Sequence, residues 1–147
     1  MLLYKNHRFF YEGVSFAIPD GYCLDTNYGD GAEDSLDFWT ADKSLRIRIA
    51  IEKETKGPRA ELNYVIRELE ECVVLEGPKA VMMNGLAGYQ ATYDTGSRQY
   101  CELRFSVSSH DNCHTELMIL FVGSPQLPSK GTMLDITNCI FPTKENS

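Results

Sequence analysis

Between residues 79 and 122 apolar and polar side chains alternate with the two-residue period of strands, and this run organises the chain. Tyr89, Ala91 and Tyr93 are separated by polar residues; further on, Cys101, Leu103, Phe105 and Val107 alternate with Glu102, Arg104 and Ser106. Directly opposed residues of a hairpin share a face, so the two apolar sets lie together if the loop between them has an odd length. Thr95-Gly96-Ser97 supplies such a loop, predicting Tyr93 opposite Gln99, Ala91 opposite Cys101 and Tyr89 opposite Leu103, with Asp94 beside Arg98.

Ahead of this run, residues 9–11 and 14–18 flank Glu12-Gly13 and predict an opening hairpin that Pro19-Asp20-Gly21 ends. Residues 20–42 hold seven acidic side chains and no basic one, and the first half of that stretch predicts an exposed loop. A strand over 36–40 and a turn at Ala41-Asp42-Lys43 lead to the cleanest alternation in the chain, with Leu45, Ile47, Ile49 and Ile51 inward and Arg46 and Arg48 outward. Pro58 suits the first turn of a helix, and Leu62, Val65, Ile66, Leu69, Cys72 and Val73 follow at helical spacing. Each large aliphatic buried there would contribute about 1.5–3 kcal/mol, so Leu69→Asp is expected to unfold the protein. Glu68, Glu70 and Glu71 crowd the end of this helix, where the dipole disfavours them.

A strand over 79–83 follows Gly77-Pro78, and Asn84-Gly85 is the favoured pair for a two-residue hairpin turn. Residues 115–122 are apolar at both parities, which predicts a central strand covered on both faces. Ser129 is placed to cap a short helix with Met133, Ile136 and Ile140 on one side. Together these elements predict a single α+β domain over 1–147: a largely antiparallel sheet of about six or seven strands sandwiched by two helices. The sequence contains no internal repeat.

Composition narrows the classes. Hydrophobic residues make up 43% of the 147-residue chain and charged residues 24%, which excludes disordered and fibrous proteins. Fourteen basic against 21 acidic side chains give a net charge of −7, which argues against nucleic acid or an anionic membrane as partner. The longest apolar run, 117–123, is far too short to cross a bilayer, and the first eight residues lack the apolar core of a signal peptide. Five cysteines without CxxC spacing fit a reducing, cytoplasmic home.

Residues 14–19 (Val-Ser-Phe-Ala-Ile-Pro) with Tyr22, Asn84-Gly85 with Gly88 ahead of a long meander, and Ile136 with Cys139-Ile140-Phe141 near the end resemble the PsbP-like superfamily. That superfamily includes a photosystem extrinsic subunit, a Ran-binding nuclear-import factor, and bacterial DcrB-like and secretion-chaperone relatives. Tyr22 stands where the superfamily more often has tryptophan, and Cys139 where serine is common. The resemblance implies the fold and, since its members act mostly by binding other proteins, a non-catalytic binding module.

The chemistry-bearing clusters give one leading reading and one alternative. Asp94-Thr95-Gly96-Ser97 spells the aspartic-protease signature, but that chemistry needs two aspartates sharing a proton, and one copy is present. Residues 25–31 superficially suggest a calcium loop, yet Leu36 occupies the place of the bidentate glutamate. His110, Cys113 and His114 concentrate metal-ligand side chains in one hairpin loop and form the alternative: a metal-binding or hydrolytic protein. Arg46, Arg48, Tyr100, Glu102 and Arg104 point away from the predicted core, and Tyr and Arg are the types that anchor interfaces. The sequence thus predicts a protein-binding or chaperone-like module, not an enzyme, needing no cofactor. Its contact surface would be that sheet face or the acidic 20–42 stretch, and a homodimer through an exposed sheet edge is a further expectation.

Overall fold

The computed structural model describes residues 2–25 and 35–143. In chain order they form β1 (Leu2–Lys5), β2 (Arg8–Tyr11), β3 (Val14–Phe16), β4 (Tyr22–Leu24), β5 (Ser35–Thr40), β6 (Leu45–Thr55), α1 (Pro58–Glu68), β7 (Val73–Met83), β8 (Leu86–Asp94), β9 (Gln99–His110), β10 (Cys113–Gly123), α2 (Lys130–Thr137) and β11 (Phe141–Pro142). The fold is α+β, with two antiparallel sheets ordered β1-β2-β3-β11 and β4-β5-β6-β10-β9-β8-β7. The part of the acidic stretch over 26–34, with most of the calcium-loop-like segment, lies outside the described residues.

The alternating strands behave as their period dictates. Ile47, Ile49 and Ile51 of β6, Leu117, Ile119 and Phe121 of β10, and Cys101, Leu103 and Phe105 of β9 form one buried inner face. Covering it are the small sheet, through Tyr11, Val14 and Phe16, and α2, through Met133 and Ile136 with Ile140 just beyond. Phe9, Phe16 and Phe38 join the two sheets edge to face and stacked, with centroids 5.2–6.0 Å apart. The opening hairpin therefore belongs to a sheet of its own. β10 is the middle strand of seven, as its double-faced apolar pattern requires. Ser129 caps α2, its hydroxyl accepting the Thr132 N–H at 3.1 Å.

Besides the start of β7, which lies at Val73 and runs through Gly77-Pro78 with only a register irregularity there, two local expectations fail. The β8–β9 loop has four residues, not three: Asp94 pairs with Gln99, Tyr93 with Tyr100, Ala91 with Glu102 and Tyr89 with Arg104. Thr95 N–H donates to the Arg98 carbonyl inside the loop, and the Gly96 N–H to Asp94 Oδ1 at 2.7 Å. The tyrosines of β8 consequently lie on the outer face, where Tyr93 stacks on Tyr100 at 5.1 Å and donates its hydroxyl to Glu102 Oε1 at 2.9 Å. Amphipathic tyrosine is content beside a carboxylate; reading it as purely apolar produced the wrong parity.

The second concerns α1, which stops at Glu68 rather than reaching Val73. Leu69 is already extended and exposed, and Val73 opens β7 with 61% exposure. The helix ends at Glu68, before Glu70 and Glu71 could add to the charge at its negative pole.

Candidate binding face

The outer face of the large sheet is built by a lattice of cross-strand pairs. Trp39 lies opposite Arg46 and Asp37 opposite Arg48; across β6, Arg46 meets Val122 and Ala50 meets Met118; across β10, Val122 meets Tyr100, Leu120 meets Glu102 and Met118 meets Arg104. α1 crosses β7, β8 and β9 on this side, with Leu62 fully buried and the Arg59 guanidinium 5.9 Å from the Tyr89 ring.

Beneath and beside α1 the face is ionic and closed. Arg104 Nε donates to Glu102 Oε2 at 2.6 Å, and one terminal nitrogen donates both to Glu116 Oε1 at 3.3 Å and to Glu52. The Thr55 hydroxyl donates to the other oxygen of Glu116. Burial opposes the charge of Arg104, but Glu102 and Glu52 outweigh it and raise its pKa. For Glu116 burial dominates and raises the carboxyl above its ordinary value, with Thr55 and Arg104 offsetting it in part. Glu102 and Arg104, placed outward by the sequence, are indeed on the outer face, but both are buried. Their side chains satisfy one another inside the protein.

Toward β5 and β6 no helix among the described residues crosses the same face. Arg46, Arg48 and Tyr100 are half-buried there. Trp39 is flanked by two cations, Lys43 with its Nζ 5.2 Å and Arg46 with its guanidinium carbon 5.1 Å from the ring centroid. Arg48 makes a bidentate pair with Asp37, at 2.8 and 2.9 Å. Arg46 differs: its Nε is buried and has no hydrogen-bond partner among the described residues, and burial lowers its pKa. Ala50, Met118, Leu120 and Val122, with Tyr100 against them, give this region an apolar floor. Beside it a polar cleft of about 530 Å³ is bordered by Ser35, Arg48, Glu52, Thr55 and Glu61.

The fold carrying this face has relatives among solved structures. The chain is similar in fold to LpqN. That protein, described as involved in cell envelope biogenesis of Mycobacterium tuberculosis, matches with a TM-score of 0.56 and 13% identity, over 88% of this chain and 83% of its own. A structure from Bacteroides thetaiotaomicron VPI-5482 matches with a TM-score of 0.54 and 15% identity over 92% of this chain, which spans 47% of that longer chain. At these identities the likeness is one of fold. No protein-family model matches the chain, and no curated protein matches it in sequence.

The loop at 110–114 does not gather its ligand-type side chains. Asp111 and Asn112 form its two-residue turn, both with positive φ. His110 is highly exposed and pairs with Asp111 at 3.0 Å; Cys113 is exposed; the His114 ring lies by Gly57 with Nδ1 3.0 Å from Ser106 Oγ. Among the described residues no three His, Cys, Asp or Glu side chains stand close enough together to hold a metal ion. Asp94 of the protease-like signature is occupied within its own turn. Among the described residues no helix is long and apolar enough to cross a membrane.

Sequence reasoning missed Asp37, Trp39 and Lys43. The signal was there: Leu36 and Phe38 alternate inward, so Asp37 and Trp39 must face outward, beside the arginines of the next strand.

Proposed function

We propose that this chain is a non-catalytic protein-binding module, and that its partner docks on the half of the outer sheet face that α1 leaves open. The observation that carries the reading is Arg46: a guanidinium held against Trp39, with a buried Nε that has no partner among the described residues. A desolvated guanidinium is costly without a counter-charge, and an anionic group on an incoming protein would pair with the half-buried head of Arg46. Trp, Tyr and Arg are the types that concentrate binding energy at interfaces, and rigid strands hold all of them here. With Lys43 and Arg46 at its centre, the face suits a partner that presents a carboxylate. The resemblance to the PsbP-like superfamily supports the same reading, and five free cysteines fit a reducing compartment such as the cytoplasm.

The test is affinity capture from native lysate with the wild type, Arg46→Ala, Trp39→Ala and, as a control beside α1, Arg59→Ala, each shown to be folded by circular dichroism. A protein retained by the wild type and the Arg59 variant, lost from the other two and released by salt supports the reading. If no captured protein distinguishes the variants, the open face is not the docking surface.

A further inference from the structure

The opposite face of the sheet has a gap that follows from the β8 register. Because β8 turns its tyrosines outward, it offers Gly88, Gln90 and Thr92 to the inner face, opposite Phe105, Leu103 and Cys101 of β9. These residues are too small or too polar to fill the space under α2. Gly88 is compelled by close approach, since a Cβ there would stand 2.1 Å from the Arg104 carbonyl oxygen. On the far side α2 is held by Asn84, whose side-chain amide donates to the carbonyls of Asn138 and Ile140, at 3.2 and 2.6 Å. These bonds tie the C-terminal end of α2 to the β7–β8 turn.

What remains is a cleft of about 370 Å³ between α2 and the β7–β9 end of the sheet. Its floor is Cys101, Leu103, Phe105 and Phe121, and its walls include Val81 and Met133. Met82 and Leu134 continue the apolar lining to the rim, 70% and 58% exposed. The lining carries three charged groups. Lys79, the cross-strand neighbour of Gln90, lies 3.0 Å from Glu76, and Lys130 at the start of α2 lies 3.8 Å from the other oxygen of the same carboxylate. Two ammoniums thus share one carboxylate and leave one positive charge at the mouth, in a chain whose net charge is −7.

We propose that this cleft binds a medium-chain fatty acid as its carboxylate, the alkyl chain lying between Val81, Met82 and Leu134 above the buried floor and the carboxylate meeting Lys79 and Lys130. Ligand pockets span about 300–1,000 Å³ and combine an apolar body with a few placed polar groups. This one lies at the small end, sized for one alkyl chain rather than two. The charged groups and an accessible apolar wall of Val81, Met82 and Leu134 lie within one cleft, the combination that an amphipathic acid requires. Lys130 is highly exposed and loosely held, free to turn from Glu76 to a ligand.

Isothermal titration calorimetry with decanoate below its micelle concentration, and with decanol as the uncharged match, tests this. Decanoate is expected to bind with a negative heat-capacity change and to raise the melting temperature. Lys79→Gln/Lys130→Gln should weaken decanoate by about tenfold and leave decanol unchanged, whereas Val81→Phe, which fills the wall, should weaken both. The proposal is overturned if decanoate neither releases heat nor shifts the melting temperature, or if either variant binds it as the wild type does. Concentration-dependent dimerisation that Leu134→Asp abolishes, without decanoate binding, would assign the cleft to a second copy of the chain.

Discussion

Arg104 and Glu116 face one another at 3.3 Å on neighbouring strands, with Glu102 and Glu52 on the same guanidinium. Three carboxylates surround one cation, Glu102 and Glu116 closed to solvent and Glu52 at the edge, 39% exposed. Removing the cation leaves them without compensation, and breaking a buried pair in this way costs about 3–5 kcal/mol. Arg104→Leu should lose that amount in urea denaturation. A loss under about 1 kcal/mol would mean that the carboxylates are protonated in the folded protein.

Glu116 gives a pH dependence whose sign is fixed by its environment. Burial raises its folded-state pKa above the unfolded value, so folding favours the protonated form. Its contribution is complete below about pH 4.3, the ordinary glutamate value, and is lost as pH rises through the higher folded value. Glu116→Gln keeps the neutral shape throughout. The melting temperature of the variant minus that of the wild type should therefore grow from pH 4 to pH 8. A difference that shrinks over that range would show that Arg104, not burial, sets the carboxyl.

Leu62 and Leu69 share a helical stripe in the sequence but not in the structure. Leu62 is fully buried, and Leu62→Ala should cost about 2–5 kcal/mol. Leu69 is extended and exposed beyond the last turn, so Leu69→Asp should stay within about 0.5 kcal/mol of wild type. Equal losses in the two variants, measured by chemical denaturation, would restore the longer helix.

The cysteines should separate by burial. Cys101 lies on the inner face, and burial pushes its thiol up to about 11. Cys23, Cys113 and Cys139 are exposed. At pH 8 a thiol reagent should label those three rapidly and Cys101 only on unfolding. Rapid labelling of Cys101 in the native state would show that the floor of the α2 cleft opens to solvent.

Much of this protein was legible without coordinates, because local rules suffice for it. The two-residue alternation of residues 45–51 fixed which side chains of β6 face inward. Asn84-Gly85 marked the β7–β8 turn and Ser129 the start of α2, each by the backbone geometry that those residue types favour. The double-faced apolar run of 115–122 placed β10 at the centre of the sheet. Tertiary structure alone decided what depends on distant partners. Whether Tyr93 pairs with Gln99 or Tyr100 changes one residue in a loop and moves every β8 side chain to the other face; the outcome turned on Glu102 and α1, neither of which is visible in the period of β8. Arg104 and Arg46 alternate alike in sequence, yet α1 and three carboxylates close over the first and leave the second on the open side. Periodicity assigns a side chain to a face, whereas burial depends on which element packs across that face.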